Sequence, residues 1–325
     1  MKEIKWAVLG CGVIANEMAV ALQKNGKNIY AVGNRTHEKA AAFAEKYGIG
    51  KVYDDFHEMF TDPKVDVIYI TTPHNTHLGF MKEAIANGKH ILVEKSITLN
   101  SDELDEAIAL AKEKDVIIGE AMTIYHMPIY KELKKILDSG RLGRVNLITM
   151  NFGSFKEYNM KNRFFNRNLA GGAMLDIGVY ALSFIRWFFV SKPDQLLSQV
   201  KLAPTGVDEQ AGLLLTNQEG QMASVMLSLH SKQPKRGMVS CENGFIEIME
   251  YPRAWEAKIT DASTGESEII KAGDNADALA YELADMERAI NRDASAMHLD
   301  YTKDVMDLMT SFRRTWGYTY PEEEK

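Results

Sequence analysis

Short apolar runs alternate with helical patterns over the first third of the chain. This alternation is typical of βαβ units, and runs that are apolar at nearly every position suit a parallel sheet covered on both faces. We predict strands at Trp6–Gly10, Ile29–Gly33, Val67–Thr71, His90–Val93 and Val116–Gly119. The helices predicted between them are Asn16–Asn25, Glu38–Tyr47, Thr76–Asn87 and Ser101–Lys114. Ser101, which two acidic residues follow, is the predicted N-cap of the last of these helices.

The pattern changes after about Glu120. Apolar and polar positions alternate there, and Gly, Asn and Pro separate the runs, which predicts a mostly antiparallel sheet. The predicted strands are Val145–Phe152, Leu197–Leu202, Ala211–Leu215, Ala223–Leu229, Phe245–Met249 and Ala257–Thr260. The predicted helices are Ile129–Ser139, Ala173–Phe189, Ala276–Asn291 and Tyr301–Thr315. We therefore expect an α/β domain over residues 1–121 and an α+β domain over 122–325, with C-terminal helices that can pack back on the first domain.

Composition narrows the class of protein. The chain has 325 residues, enough for two domains, and its formal net charge of −7 argues against non-specific binding to nucleic acid. We identify no window with the roughly 20 apolar residues of a membrane span and no signal region, so we expect a cytoplasmic protein and no membrane partner. Two cysteines supply neither a disulfide framework nor a metal cluster. Small molecules are the expected partners.

A glycine-rich turn follows the first predicted strand. Gly10 permits a tight turn, Gly12 lets the backbone approach a pyrophosphate, and Ala15 permits close packing of helix on strand. Val13 and Ile14 precede the next helix, whose N-terminus offers N–H groups to a phosphate. We therefore predict a Rossmann-type dinucleotide site here; the alternative is a tight structural turn.

The residues after the second strand bear on the choice of cofactor. A carboxylate at this point would bind a ribose 2′-hydroxyl, but the sequence has Asn34, Arg35 and Thr36. Arg35 supplies planar donors suited to a 2′-phosphate, and Thr36 adds a hydroxyl. We predict NADP(H), with NAD possible because Glu38 is close enough in sequence to reach a ribose. The alternative role for Arg35 is a solvated loop residue.

Three motifs occur in an order that resembles one family. They are Glu94-Lys95 after an apolar strand, Thr72-Pro73-His74-Asn75-Thr76-His77, and the stretch from Gly171 to Tyr180. Together they resemble the Gfo/Idh/MocA oxidoreductases. Tyr180 is similar to the branch that holds dimeric dihydrodiol dehydrogenase, glucose–fructose oxidoreductase and NADP-dependent xylose dehydrogenase.

The resemblance implies specific roles. Hydride passes between nicotinamide and a carbinol or carbonyl of an aldose, sugar derivative or trans-dihydrodiol. Lys95 lies at the reacting oxygen, Glu94 supports the nicotinamide ribose and Tyr180 acts in proton transfer, while the loop with Thr72, Pro73 and His77 lies along the cofactor. The resemblance also implies an open-faced second sheet that often carries the oligomer contact, and hence a homodimer or higher homo-oligomer.

The residue chemistry is compatible with these roles. Moving hydride to a carbonyl builds negative charge on its oxygen, which needs a proton donor or cation such as Lys95. Asp176 and Tyr180 are four residues apart, so a helix would present both on one face. The alternatives are a strand-end cation for Lys95, a core residue for Tyr180 and a backbone cap for Asp176. His74 and His77 have metal-like spacing, but no third ligand is evident and we predict no metal.

The sequence departs from the family pattern at two points. Ser96 stands where the motif has a proline that would fix the backbone, so Lys95 is either aimed differently or held by other contacts. Tyr125 stands where the branch usually has an arginine, and it lines the pocket with His126 in one interpretation. Arg163 and Arg167 are candidates for binding an anionic substrate or for the surface.

Two other functions stay open at this point. Ser96 is the one feature that favours a catalytically quiet NAD(P)-binding sensor or scaffold. An NAD-linked inositol-type dehydrogenase is weakened by Tyr180, because that branch has histidine there, and by the missing acid near Arg35.

Overall fold

The computed structural model describes residues 3–291 and 293–324, which form two compact units. The first unit comprises the chain up to Ala121 together with Leu279–Leu299. Its strands are β1 Trp6–Leu9, β2 Ile29–Gly33, β3 Lys51–Tyr53, β4 Val67–Ile70, β5 His90–Glu94 and β6 Ile118–Ala121. Its helices in this part of the chain are α1 Val13–Lys24, α2 His37–Tyr47, α3 Phe56–Thr61, α4 His77–Ala86 and α5 Ser101–Glu113.

The six strands of the first unit form one parallel sheet in the order β3-β2-β1-β4-β5-β6. Every residue of β1 and β4 is buried, as expected of central strands covered by helices on both faces. Strand order reverses beside β1, and ligands of such sheets bind at the carboxyl ends of the strands near that reversal. The predicted cofactor residues lie in the loops after β1, β2, β4 and β5 or directly beside them, at the start of α1 and α4 and at the last residue of β5.

The second unit contains Met122–Ala278 and Asp300–Lys325. Three helices of this unit precede strand β8 in the chain: α6 Thr123–His126, α7 Pro128–Asp138 and α8 Val179–Phe188. Its strands are β7 Val145–Gly153, β8 Gln195–Leu202, β9 Asp208–Thr216, β10 Met222–Ser228, β11 Gln233–Cys241, β12 Gly244–Met249, β13 Glu256–Asp261 and β14 Ser267–Lys271. They form one sheet in the order β14-β13-β12-β11-β7-β10-β9-β8, in which only the β7–β10 pair is parallel among the described residues.

The two faces of the eight-stranded sheet differ. On one face α8 packs closely: a side chain at Gly237 would meet the Phe184 ring at 2.6 Å, so the helix contacts the strand backbone directly. The other face exposes large apolar side chains, among them Leu197, Met226 and Ile269. This confirms the predicted α/β architecture with an open-faced, mostly antiparallel second sheet.

Two long helices close the chain, α9 Ala278–Asn291 and α10 Leu299–Trp316. In the first unit, Trp6 donates from Nε1 to Glu287 on α9 at 3.1 Å. A side chain at Gly119 would meet Met297 at 2.5 Å, so the segment after α9 lies directly on β6. Helix α10 belongs to the second unit from Asp300 onward.

The structure corrects several sequence predictions. Strands β3, β11 and β14 were not predicted. The cap of α5 is Asn100, whose side chain accepts from the Glu103 N–H at 2.9 Å, and not Ser101. The predicted helix over Ala173–Phe189 begins as a π-helical turn, Met174–Gly178, before α8.

One helical stretch meets a length and composition criterion for a membrane span that the sequence pattern did not indicate. It is Arg167–Phe188. Most of it is buried inside the protein, and such burial accounts for an apolar helix as well as a bilayer does.

Candidate active site

The glycine turn after β1 has a geometry that only glycine fits. Gly10 has φ +106°, and a side chain there would lie 2.5 Å from the Thr71 hydroxyl oxygen. Its N–H donates to the Gly33 carbonyl oxygen at 2.8 Å, which ties the turn to the end of β2. The turn is therefore pressed against the loops that follow its two neighbouring strands.

The start of α1 has the form of a phosphate-binding helix N-terminus. Gly12 is the N-cap and supplies no side-chain cap, and a Cβ added there would meet nothing within 4 Å. Val13, an apolar residue, is 80% exposed at the first helical position, and Ile14 beside it is half-buried. Open space in front of backbone N–H groups is what a pyrophosphate requires, so these residues fit a dinucleotide.

The loop after β2 exposes Arg35 and Thr36. Thr36 is the N-cap of α2 but makes no side-chain cap hydrogen bond. Asn34 donates from its side chain to the Thr36 carbonyl oxygen at 3.0 Å, so its amide shapes the loop. Among the described residues no acidic side chain pairs with Arg35. The second helix N-terminus thus presents a guanidinium and a hydroxyl together.

Cys11, within the glycine turn, is not a nucleophile in this setting. Burial raises the pKa of its thiol to about 11, and the nearby Lys39 opposes that rise only in part. The thiol stays protonated at neutral pH.

His77 joins the loops after β4 and β5. Its ring has no exposed surface, and its Nε2 is 2.8 Å from the Thr72 carbonyl oxygen. Its Nδ1 is 3.0 Å from the Ser96 carbonyl oxygen and 3.2 Å from that of Ile97. Burial lowers the pKa of the ring below its usual 6.5. The structure therefore gives His77 a supporting position between two loops, where the sequence predicted a residue at the cofactor.

Two other residues after β4, Thr72 and Pro73, keep exposed surface. Thr72 is half-buried and its hydroxyl accepts from the Thr76 hydroxyl at 2.7 Å. Pro73 is exposed and precedes a short 3-10 turn. These two residues, unlike His77, remain available to a bound molecule.

Glu94 is the last residue of β5 and Lys95 follows it directly; both are half-buried. The hydroxyl of the buried Tyr69 on β4 donates to the Glu94 carboxylate. The Lys95 carbonyl oxygen lies 3.0 Å from Nε2 of His74, and the Lys95–Ser96 peptide is cis. Lys95 thus leaves the sheet at the edge where the glycine turn lies.

Further contacts hold the loop that lacks the motif proline. The Ile97 N–H donates to the buried Glu120 carboxylate at 3.1 Å, and the Leu99 N–H donates to Glu103 at 3.0 Å. With His74 and His77, these bonds fix the backbone that a proline would have restricted. Of the two outcomes expected for Ser96, the structure shows the second: the Lys95 loop is held by other contacts.

The predicted substrate residues of the second unit lie on the turn before α8. Asp176 is mostly buried, and its carboxylate accepts from Arg163 at 3.1 Å, while the arginine side chain is half exposed. Tyr180 is half-buried at the start of α8, with its ring centre 6.2 Å from that of Phe152. Because Asp176 lies in a π-helical turn, the i, i+4 geometry expected of an α-helix does not apply to this pair.

Two other sequence interpretations are wrong. Tyr125 and His126 are buried and do not line a pocket; the Tyr125 ring packs between Trp187 and Tyr301 at centroid distances of 6.1 and 5.8 Å. Arg167 donates to the Thr319 carbonyl oxygen and pairs with Glu324, so it ties down the C-terminal segment and is not free for a substrate.

The structure gives His74 and Glu120 a role that sequence reasoning did not predict. Both bind the backbone of the Lys95 loop, from 21 and 23 positions away. His74 belongs to the Thr72–His77 motif, whereas no local pattern marks Glu120. Within residues 3–291 and 293–324, no group of three or more His, Cys, Asp or Glu side chains is placed to hold a metal ion.

Comparison with known proteins assigns the chain to a family. Residues 4–122 match the model described as an oxidoreductase family with an NAD-binding Rossmann fold, and residues 130–247 match the GFO/IDH/MocA C-terminal domain. The chain belongs to the GFO/IDH/MocA oxidoreductases. This confirms the family resemblance and an oxidoreductase that uses a nicotinamide dinucleotide and acts on CH–OH groups.

Several relatives share a single name. The trans-1,2-dihydrobenzene-1,2-diol dehydrogenase of Xenopus tropicalis is 32% identical over 248 residues, which cover 75% of this chain and 74% of that protein. The human enzyme of that name is 25% identical over 99% of both chains.

Solved structures share the fold. A 3-ketoreductase from Actinomadura kijaniata, in complex with NADP and TDP-benzene, superposes with a TM-score of 0.85 at 20% identity over 96% of this chain and 98% of that chain. An aldose-aldose oxidoreductase from Caulobacter crescentus gives 0.84 at 22% identity over 96% and 97%.

Proposed function

We propose that the protein is an NADP(H)-dependent oxidoreductase that exchanges hydride with a carbinol or carbonyl of an aldose, sugar derivative or trans-dihydrodiol. One observation carries the proposal: Lys95 directly follows β5, in a loop held by several hydrogen bonds, at the same sheet edge as the open glycine turn. A cation held at that edge suits a reaction in which negative charge develops on oxygen.

The cofactor preference rests on the loop after β2. The 2′-phosphate of NADP carries charge that Arg35 can neutralise with two donors, while the Thr36 hydroxyl and the N-terminus of α2 add further donors. An NAD-specific site would place a carboxylate there to bind the 2′-hydroxyl. Relatives and neighbours point the same way, since one similar structure holds NADP.

The chain's own residues account for binding and proton movement. Gly10, Gly12, Val13 and Ile14 hold the pyrophosphate, Thr72 and Pro73 border the dinucleotide, and Glu94 orients the nicotinamide ribose. When bound, the nicotinamide supplies or accepts the hydride. Lys95 donates a hydrogen bond to the reacting oxygen and stabilises the negative charge that develops on it.

Tyr180 moves the proton in this proposal. Its hydroxyl gives a proton to the oxygen during reduction and accepts it during oxidation. Asp176, held by Arg163, accepts a hydrogen bond from a substrate hydroxyl next to the reacting carbon. A carboxylate and a guanidinium side by side suit polyhydroxylated substrates, because vicinal hydroxyls both donate and accept.

The substrate class follows from two findings taken together. Similar relatives are named for a trans-dihydrodiol, and two structural neighbours are named as a 3-ketoreductase and an aldose-aldose oxidoreductase. These names share a reaction at a carbinol or its carbonyl, and a diol and an aldose each carry a further hydroxyl beside that group.

A Lys95→Met variant tests the function. Methionine keeps the length and the apolar stem but removes the charge, so kcat should fall by about 10² to 10⁴ while NADPH binds with unchanged affinity. Turnover is followed by NADPH absorbance with a panel of sugars and diols, and binding by quenching of tryptophan fluorescence. Full turnover in the variant would refute the role of Lys95. Inactivity of the wild type, with intact NADPH binding, would favour the quiet sensor.

We also propose that the protein forms a homodimer through the exposed face of its second sheet. Paired positions place Leu197, Leu214 and Met226 of β8, β9 and β10 on that face, and Ile269 lies on the same face at the far edge. Leu197 is 68% and Met226 56% exposed. The charged side chains on this face include Arg236 and Glu247, which pair with each other at 2.5 Å. A second copy would bury these apolar side chains, and Arg236 and Glu247 would still neutralise each other's charge in the contact.

A further inference from the structure

A buried carboxylate lies behind the turn that carries Asp176 and Tyr180. Asp208 begins β9 and has no exposed surface. The Met174 N–H donates to its Oδ2 at 2.6 Å, and the Tyr318 hydroxyl donates to its Oδ1. A side chain at Gly172 would lie 2.2 Å from that Oδ1, so the glycine allows the backbone to approach the carboxylate.

The bond to Met174 is made at a specific place in the chain. Met174 is the first residue of the π-helical turn, Asp176 is the third, and Tyr180 follows at the second position of α8. The first N–H groups of a helical segment have no partner within it. Asp208 supplies that partner, and so it fixes where the turn begins.

The C-terminal segment, Tyr318–Glu324, holds the other side of the same stretch. Tyr320 donates from its hydroxyl to the Gly171 carbonyl oxygen at 2.7 Å. Arg313 binds both Glu323 oxygens at 2.7 and 2.8 Å, and its guanidinium lies 4.6 Å from the centre of the Tyr320 ring. The segment is therefore itself fixed, and it delivers Tyr318 to Asp208.

The electrostatic setting of Asp208 is unfavourable for a purely structural carboxylate. Burial raises its pKa to about 6, while Tyr318, the Met174 N–H and the charge of Arg313 oppose the rise. The other titratable groups facing it are Tyr320 and, through Arg313, Glu323. Because the folded pKa lies above the usual 3.8, the stabilising contribution is full below about pH 4 and is lost as pH rises through 6.

The protein thus keeps a buried, ionised carboxylate at neutral pH although the ionised form disfavours folding. A residue that lowers the stability of the folded protein in this way is typical of positions retained for function. In the ionised form both oxygens accept, and bonds to an ionised acceptor are the stronger ones. A protonated Asp208 would hold the turn less firmly.

We propose that Asp208 is a positioning residue for the reaction: with Tyr318 of the C-terminal segment, its carboxylate fixes the turn that presents Asp176 and Tyr180 to the substrate. The inference rests on the proposed function, in which those two residues act on substrate. In this proposal the C-terminal segment, through Tyr318, helps to position the residues that act on substrate.

Two variants and a matched control test this proposal. Asp208→Asn keeps the shape and removes the charge, and Tyr318→Phe removes one donor. Tyr53→Phe is the control, because Tyr53 also donates to a buried aspartate, Asp62, but in the first unit. At pH 8 we expect kcat about tenfold lower in both test variants, the equivalent of one hydrogen bond, with unchanged NADPH affinity and a normal kcat in the control.

The pH profile separates positioning from general stability. Wild-type kcat should fall as pH drops through about 6, whereas the Asp208→Asn variant should be slow and flat from pH 5 to 8. That variant should also melt higher than the wild type at pH 8 and equally at pH 4. Faster hydrogen exchange of residues 171–180 in the Tyr318→Phe variant, but not in the control, should accompany the loss of kcat.

Three results would overturn the proposal: wild-type kcat in both test variants, an equal loss of kcat in the control, or unchanged exchange of residues 171–180. A wild type that turns over no sugar or diol would count against the proposed function instead. In that case the exchange measurement still decides whether Asp208 and Tyr318 anchor the turn.

Discussion

At the scale of single residues, the proposed choice of NADP(H) depends on one exposed guanidinium. Arg35 is exposed in the loop after β2, beside the free N-terminus of α2. A paired phosphate and guanidinium contribute more than an ordinary hydrogen bond, because both partners are charged. NADH lacks the 2′-phosphate and gains nothing from this contact.

We therefore expect Arg35→Ala to weaken NADPH binding about 10- to 100-fold and to leave NADH binding unchanged. Titration of tryptophan fluorescence measures both affinities. Arg288→Ala is the matched control, since it removes the same charge from the same unit at a residue paired with Asp285. Equal NADPH affinity in the wild type and the Arg35 variant would refute the 2′-phosphate assignment.

At the scale of elements, the loop between β5 and α5 shows how Lys95, for which we propose a catalytic role, is held without the motif proline. Its backbone is bonded by His74, His77, Glu103 and Glu120, which come from the loop after β4, from α4, from α5 and from β6. Glu120 is the critical acceptor among them, because the Ile97 N–H is buried and would otherwise lack this partner.

Replacing Glu120 with alanine should lower kcat at least tenfold and destabilise the protein by about 1–3 kcal/mol, the usual cost of a buried donor left unpaired. Glu120→Gln keeps an acceptor oxygen, so this variant should retain most of the wild-type kcat and most of the wild-type free energy of unfolding. Urea unfolding and steady-state kinetics with NADPH measure the two effects. Similar kcat in the alanine variant and the wild type would show that Lys95 does not depend on this loop.

The elements also show what the sequence could predict. The strand ends and the glycine turn follow from hydrophobic runs and local backbone demands, and these predictions agree with the structure to within two or three residues. Strand β11 was missed because Pro234 and the polar residues around it lack the strand pattern, although the strand pairs with β7 and β12. Its place inside the sheet is set by tertiary pairing.

Some residues of the candidate site could be predicted from local motifs, and others could not. Gly10, Gly12 and Lys95 are marked by local motifs, and the structure places them at one sheet edge. Local motifs do not mark the contacts of His77 and Asp208, because a histidine between two carbonyl groups or a carboxylate behind a turn depends on residues up to 110 positions away in the sequence. The π-helical turn could not be predicted from the sequence either, because hydrophobic periodicity does not show which carbonyl oxygen each N–H group binds.

At the scale of the whole molecule, the proposed dimer depends on the open face of the second sheet. An apolar face of this kind usually marks an interaction site, and a twofold pair would use the same patch on both copies. Leu197 and Met226 lie near one edge of that patch.

We expect a dimer of about 73 kDa, twice the 36.5 kDa chain, by light scattering at micromolar concentration. A Leu197→Lys, Met226→Lys double variant should be monomeric, because it would bring like charges together in an apolar contact. Val13→Lys, at an equally exposed apolar residue outside the face, controls for added charge and should stay dimeric. A monomeric wild type, or a dimer that survives the double change, would show that this face is not the contact and that its apolar residues are covered by something other than a second copy.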